Sequence, residues 1–173
     1  AKNPPSIQWK AQLPSNVSAR YLAKDNHILI ADSEPTDLEI LRNFAISGLP
    51  HMAINSRTHE MTHSVQNMLG GGITIPAELR EVQAYRAQVF RAKKGFSYLT
   101  WPHDDFVNDL TDPNTYSKTE NGWNQRRVNS AIYSIDRLNA LGYRQEQIVQ
   151  VISNPGEWNQ ETGFWSNVHS TIE

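Results

Sequence analysis

Residues 56–72 read SRTHEMTHSVQNMLGGG, and the interpretation of the whole chain depends on this stretch. His59 and His63 are four residues apart, and Glu60 directly follows the first histidine. Residues i and i+4 of an α-helix lie on one face, so both imidazole rings can bind a single metal ion. The three glycines at the end of the stretch predict where this helix stops. The competing interpretation is an ordinary polar helix that carries two histidines.

The composition is that of one globular domain. The chain has 173 residues, of which 38% are apolar and 20% charged, which is ordinary for a folded protein with a hydrophobic core. We therefore expect a single domain over residues 1–173. Sixteen basic and eighteen acidic residues leave a net charge of −2, which gives no reason to expect nucleic acid or an anionic membrane as a partner. No apolar run approaches the roughly 20 residues that a membrane span requires.

The absence of cysteine restricts the chemistry further. Without cysteine the chain can form neither disulfides nor thiolate metal sites, so any metal must be held by His, Asp or Glu. The chain starts at Ala1 rather than Met, and from this we expect a processed or trimmed N-terminus.

Hydrophobic periodicity predicts an α+β domain that is mostly helical, with a small β-hairpin near its start. Residues 1–18 are rich in Pro, Ser and Asn and are predicted to form an irregular lead-in. The hairpin is predicted over 19–32, with its best strand at 27–31. Helices are predicted over 35–48, 50–69, 76–94 and 145–153, and over an amphipathic segment that Gly142 ends.

The helical spacing of apolar residues also predicts which side chains are buried. In the helix over 76–94 they are Leu79, Val82, Val89 and Phe90. In the amphipathic segment they are Val128, Ile132, Ile135, Leu138 and Leu141.

Glu60 is predicted to have a role different from that of the histidines. One residue corresponds to about 100° of rotation around a helix, so Glu60 lies too far round from His59 to complete a compact ligand set. It can instead reach a water molecule bound to the metal and act as a general base. Zinc suits such histidine ligands, with Zn–N distances of about 2.0–2.1 Å. The motif thus predicts two zinc ligands and one base on a single helical turn.

A catalytic zinc site normally has a third protein ligand, and the next predicted helix supplies two candidates. The glycine run offers a tight reversal that brings this helix, with Glu78 and Glu81, back beside the first. We favour Glu81, which follows His63 with seventeen residues between them. Glu78 falls in the first turn, where a carboxylate stabilises the positive end of a helix. The alternative for Glu81 is a solvated carboxylate near Arg80 or Tyr85.

The segment 59-HEMTH-63, followed by Glu81, resembles the zincin metallopeptidases and in particular the gluzincins, whose zinc ligands are His, His and Glu. It is also similar to small bacterial zincin-like domains. The resemblance implies a zincin-like domain in which His59, His63 and Glu81 bind Zn²⁺ and Glu60 is the catalytic base. It covers residues 55–88, about a fifth of the chain.

The resemblance implies two further features of the site. In such enzymes an exposed edge strand above the metal helix commonly binds extended substrate by strand addition. The 27–31 strand is a candidate for this edge, and the alternative is that it is a covered core strand. An anionic tetrahedral intermediate also calls for a donor besides the metal. The candidates for this donor are Tyr85, Tyr98, His103 and Tyr116.

The leading functional hypothesis is a zinc-dependent metallopeptidase that cleaves a protein or peptide substrate, with Glu60 as the general base. One alternative is a zincin fold that serves as a binding module with little or no hydrolysis. Another is a metal-dependent hydrolase that acts on a non-peptide amide, such as cell-wall material. The presence of Glu60 favours an active enzyme, because a degenerate site would often have lost its base. The resemblance also suggests a secreted or exported bacterial protein.

Overall fold

The computed structural model describes residues 3–15, 17–36, 38–39, 42, 53–70, 74–93, 110–112 and 124–173. These residues form helices and two small β-sheets, so the predicted α+β class with a predominance of helix is confirmed. In the part of the chain that the structure describes, every helix is too short or too polar to cross a membrane.

The first sheet contains three strands in the order β1-β3-β2. They are β1 (Ser6–Ala11), β2 (Ala19–Leu22) and β3 (His27–Ala31). β2 and β3 form the predicted antiparallel hairpin. β1 pairs with β3 in parallel, so the expectation of an irregular lead-in over 1–18 is wrong for this strand. The pattern did not indicate a strand because only Ala11 of its six residues is buried.

The central position of β3 corrects a second expectation. Both of its edges are hydrogen-bonded, one to β1 and one to β2, so it cannot be the exposed strand that adds a substrate. The edges of this sheet are β1 and β2. In β1 the register shifts between Gln8 and Ala11, where Lys10 adopts a φ of 56°. The Lys10 Nζ then donates hydrogen bonds to the backbone oxygens of Asp32 and Glu34, at 3.0 and 3.2 Å.

The structure gives residue ranges for five helices among the described residues. They are α1 (Ala53–Gly70), α2 (Ala77–Lys93), α3 (Gln125–Ala140), α4 (Gln145–Ile152) and α5 (Ser166–Ile172). The first four agree with predicted helices to within a few residues, and α1 ends at the glycine run as expected. A short hairpin of β4 (Trp158–Asn159) and β5 (Phe164–Trp165) precedes α5 and was not predicted. The predicted helix over 35–48 lies mostly outside the described residues.

The main hydrophobic core lies among α2, α3, α4 and α5. Leu79 and Val82 of α2 are fully buried, as their spacing predicts. Leu141 is 46% exposed, so its predicted burial is wrong: α3 ends at Ala140 and Leu141 is only its C-terminal cap. The remaining predicted core residues of α3 are buried, namely Val128, Ile132, Ile135 and Leu138. The side chains of Val89 and Phe90 lie outside the described residues.

Helix α1 lies in contact with the three-stranded sheet and with α2 and α4. An unusual share of its buried residues is polar. These residues are His59, Glu60, Thr62, Ser64 and Gln66. Because burying a polar side chain costs free energy unless it has partners, such a helix is a natural place to look for a functional site.

Candidate metal centre

The two histidines of α1 point to the same place. Their Nε2 atoms are 3.0 Å apart and their ring centroids 4.7 Å apart, with the rings nearly perpendicular. One helical turn separates His59 from His63, so this convergence follows directly from the four-residue spacing. His59 is only 8% exposed, and a histidine buried in this way needs polar partners.

Glu81 of α2 completes the group from the opposite helix. One of its carboxylate oxygens lies 3.2 Å from the His59 Nε2 and the other lies 3.3 Å from the His63 Nε2. The ligand atoms of the three residues lie within 4.8 Å of one another, and the group could hold a metal ion. Packing of α1 against α2 after the glycine run produces this arrangement.

The spacing of the donor atoms is compatible with a tetrahedral ion. With metal–ligand bonds of about 2.0 Å, neighbouring ligands of a tetrahedral zinc lie about 3.3 Å apart. The two Nε2 atoms are 3.0 Å apart, and they lie 3.2 and 3.3 Å from different oxygens of the Glu81 carboxylate. Two imidazole nitrogens and a carboxylate oxygen also form a donor set that zinc accepts, and a fourth position is left for water or substrate.

The charges of the group support one another in the metal-free protein. Burial opposes ionisation of Glu81, but the charge of His63 and hydrogen bonds from both histidines hold the pKa of Glu81 well below its usual range. Burial likewise opposes protonation of His63, but the Glu81 carboxylate outweighs it and raises the pKa of His63. A proton on the imidazole therefore occupies part of the electrostatic role that a metal cation would have.

Glu60 lies beside this group rather than within it. It is 9% exposed, and burial raises the pKa of its carboxyl while the neighbouring His59 and His63 partly oppose the rise. The backbone N–H of Tyr21 in β2 donates a hydrogen bond to the Glu60 carboxylate. The carboxylate is thus held between α1 and the three-stranded sheet.

A cavity of about 360 Å³ joins these features. The two histidines, Glu60 and Glu81 line it together with residues of β2, the strand at the sheet edge. The cavity also exposes Tyr21, Asn67 and Arg80, which sequence reasoning did not single out. Asn67 and Arg80 have a signal in the sequence, since each lies within one turn of a predicted ligand. Tyr21 has none, because its place depends on how the hairpin packs on α1.

The structure separates the two candidates for the third ligand. Glu78 points away from the histidines and pairs with the Arg127 Nε of α3 at 2.7 Å. Its side chain is only 3% exposed, so Glu78 is a buried ion-pair partner in the first turn of α2, where a carboxylate also stabilises the positive end of the helix. Glu81, one turn further along α2, is the carboxylate that reaches His59 and His63.

Of the four predicted oxyanion donors, the structure describes one, Tyr85. The Tyr85 ring packs edge-on against the His59 ring, with centroids 4.4 Å apart, and Tyr85 also borders the main core. This contact supports the imidazole of a candidate ligand. Tyr98, His103 and Tyr116 lie outside the described residues.

The Nδ1 of His63 faces away from the cavity, where it lies 2.9 Å from the Gln66 Oε1. Metal-binding histidines commonly hydrogen-bond through the nitrogen that does not bind the metal.

No family model, curated protein or solved structure matches this chain. The function must therefore be argued from the site itself.

Proposed function

We propose that the protein is a zinc-dependent metallopeptidase. The observation that carries the proposal is the convergence of His59, His63 and Glu81 at one cavity that a buried glutamate and a sheet edge also line. A structural metal site would not require the additional carboxylate of Glu60, nor an accessible cavity. A catalytic site uses both.

His59, His63 and Glu81 would hold the ion. When bound there, zinc supplies Lewis acidity, which polarises a carbonyl oxygen and lowers the pKa of a coordinated water to about 7. The protein residues supply orientation and proton transfer.

Glu60 is the residue suited to move a proton. Its carboxyl is buried and its pKa is raised by that burial, which makes the carboxylate a stronger base than an exposed glutamate. The Tyr21 backbone N–H fixes its direction at the cavity wall. Glu60 accepts a proton from the attacking water and then donates it to the leaving amine.

Strand β2 is suited to align an extended substrate. In an antiparallel pair, alternate residues direct their backbone groups towards the partner strand and away from it. The Ser18 oxygen accepts from the Ala31 N–H, whereas the Tyr21 N–H reaches Glu60 on the other side, so Ala19 and Tyr21 direct their backbone groups away from β3. Ala19, Arg20 and Tyr21 all line the cavity. Because the Tyr21 N–H is bonded to Glu60, the backbone groups of Ala19 are the ones with which a peptide would pair when it adds to β2 next to the candidate metal ligands.

The substitution Glu60→Gln tests the catalytic role. It removes the base but no proposed ligand, so we expect turnover to fall by at least about 100-fold while one zinc ion per chain is still bound. Glu157→Gln is the matched control, since Glu157 is exposed and remote from the cavity, and it should retain full activity. Zinc content is measured by mass spectrometry and turnover by cleavage of unfolded proteins. A Glu60→Gln variant with full zinc-dependent activity contradicts the mechanism, and a wild-type protein that takes up no zinc contradicts the site.

The choice of substrate separates the proposal from its alternatives. Cleavage of unfolded proteins by the zinc-loaded protein is the expected result. Release of fragments from purified peptidoglycan, without cleavage of proteins, would indicate an amide hydrolase that uses the same residues. Stoichiometric zinc without cleavage of either substrate would indicate a binding module.

A further inference from the structure

A chain of buried side-chain amides leads from the candidate metal site into the protein. The Gln66 Oε1 is 2.9 Å from the His63 Nδ1, and the Gln66 Nε2 is 2.8 Å from the Gln83 Oε1. The Gln83 Nε2 in turn donates to the backbone oxygen of Gln145 at 3.0 Å. Gln66 and Gln83 are both fully buried, at 0% exposure, which is rare for glutamine.

The direction of hydrogen bonding along this chain is fixed by backbone carbonyls, which can only accept. The Gln66 amide nitrogen donates to the Arg80 carbonyl oxygen at 2.9 Å, so the atom that faces His63 must be the amide oxygen. The Gln145 backbone carbonyl fixes the orientation of Gln83 in the same way, because it accepts a hydrogen bond from the Gln83 Nε2. The Gln83 Oε1 then accepts the second N–H of Gln66. Both amides are therefore oriented without reference to the histidine.

An oxygen at this position favours a proton on the His63 Nδ1, whereas the Glu81 carboxylate favours a proton on Nε2 when no metal is bound there. The Gln66 Oε1 can only accept, so a hydrogen bond to it requires a proton on the His63 Nδ1. In the neutral imidazole the other nitrogen, Nε2, then has a free lone pair. That nitrogen is the one that faces His59 and Glu81.

We propose that Gln66 is a positioning residue that holds His63 in the Nδ1–H tautomer and so presents its Nε2 lone pair to the metal. This inference rests on the proposed metal site, but its tests require no peptidase activity, so its failure can be distinguished from failure of the proposed function. His59 has no such support among the described residues, since its Nδ1 is buried without a hydrogen-bond partner there. Within this part of the chain, the constraint on ligand tautomer is therefore concentrated at His63.

Gln83 provides the control for a structural effect. Gln66 and Gln83 are equally buried and hydrogen-bonded to each other, but only Gln66 contacts His63. In Gln83→Leu the Arg80 carbonyl still orients Gln66, so the histidine keeps its acceptor. In Gln66→Leu the acceptor is lost. Both variants disturb the same buried region, and the difference between them isolates the contact with the histidine.

The first test uses the zinc-loaded wild-type protein, because in the metal-free protein the Glu81 carboxylate also accepts a hydrogen bond from the His63 Nε2. Nitrogen-15 NMR of the histidine rings shows which nitrogen carries the remaining proton. We expect His63 to be protonated at Nδ1, with an N–H that exchanges slowly with solvent because of its bond to Gln66. A His63 that binds zinc through Nδ1, or whose Nδ1 proton exchanges as fast as it does in Gln66→Leu, overturns the proposal, whether or not the protein is a peptidase.

The second test compares zinc affinity and proton exchange in the variants. Gln66→Leu should weaken zinc binding by about 10- to 100-fold and speed the exchange of the His63 Nδ1 proton in the zinc-loaded protein. Gln83→Leu should keep both within about threefold of wild type. Equal losses of zinc affinity in Gln66→Leu and Gln83→Leu, or unchanged proton exchange in Gln66→Leu, would overturn the proposal.

Discussion

A proton and the proposed metal ion would compete for the same nitrogen of His63, its Nε2. In the metal-free protein, burial works against its positive charge, but Glu81 outweighs burial and raises the pKa of His63 above the ordinary value of about 6.5. The pKa of Glu81 is depressed by the same contact. The pair therefore has a pH range in which it stabilises the fold without metal.

This balance predicts how the stability of the metal-free protein depends on pH. A group whose pKa is raised on folding stabilises fully below its unfolded pKa and loses that effect as the pH rises through its folded value. The free energy of unfolding should therefore fall as the pH is raised from the ordinary histidine pKa of about 6.5 into the alkaline range. The carboxylate of Glu81, whose pKa is lowered, stays ionised over this whole range. Chemical denaturation at a series of pH values measures the effect.

Two controls define this pH effect. Glu81→Gln removes the charge that raises the pKa of His63, so it should flatten the profile. Saturating zinc should flatten it as well, because a metal-bound Nε2 cannot be protonated. A metal-free wild-type profile that is flat or rises between these pH values contradicts the expected coupling.

At the scale of the element, α2 carries two carboxylates with different partners. Glu81 contacts the histidines of α1, and Glu78, three residues earlier, contacts Arg127 of α3. The helix thus forms a wall between the candidate site and the main core. Substitution of each glutamate in turn should separate metal binding from stability.

The expected outcomes are opposite for the two glutamates. Glu81→Gln should lower zinc affinity by at least about 100-fold, because it removes a proposed ligand. Glu78→Gln should leave zinc affinity within about threefold of wild type and lower the free energy of unfolding by about 1–3 kcal/mol, because Arg127 loses its partner. Zinc titration and urea denaturation measure the two effects. A loss of zinc binding in Glu78→Gln and not in Glu81→Gln would reverse the assignment of the third ligand.

Strand β2 offers a test of substrate alignment. Ala19 directs its N–H away from β3, so Ala19→Pro removes a donor from the free edge and leaves the hairpin ladder intact. We expect kcat/KM for extended peptides to fall by roughly two- to tenfold, the equivalent of one hydrogen bond, with zinc affinity unchanged.

Arg20→Pro is the matched control for Ala19→Pro. Arg20 is paired with Leu29 within the hairpin, on the side that faces β3. Proline there should destabilise the sheet, which denaturation will detect. Unaltered cleavage of extended peptides by Ala19→Pro would exclude strand addition at this edge.

For the molecule as a whole, local patterns predicted much of the site. The spacing of His59 and His63 requires only the geometry of one helix, and the structure brings their Nε2 atoms together as that geometry predicts. The buried residues of α3 followed from periodicity in the same way, up to the helix end. The prediction for Leu141 was wrong because periodicity does not show where the last turn of the helix ends.

The remaining features depend on residues that are distant in sequence. The structure brings Glu81 rather than Glu78 to the histidines, and Glu78 instead pairs with Arg127, which a local pattern cannot connect with either glutamate. The Gln66–Gln83 contact could not be predicted from the sequence, because a glutamine in a helix is normally expected to be exposed. Strand β1 was missed because its parallel partner, β3, is the second strand of the hairpin and is not its neighbour in sequence.

The kink in β1 at Lys10 has a consequence for how molecules of this protein meet one another. An unpaired strand edge can recruit the edge of a second molecule and so start aggregation, and an interrupted edge with a lysine is a poor template for that process. The outer edge of the sheet has this interruption, where the Lys10 ammonium is bound to the backbone of Asp32 and Glu34. The other edge, β2, lines the cavity beside the candidate metal ligands. The sheet thus combines one edge that resists pairing with a second molecule and one edge that, in the proposed function, binds a peptide.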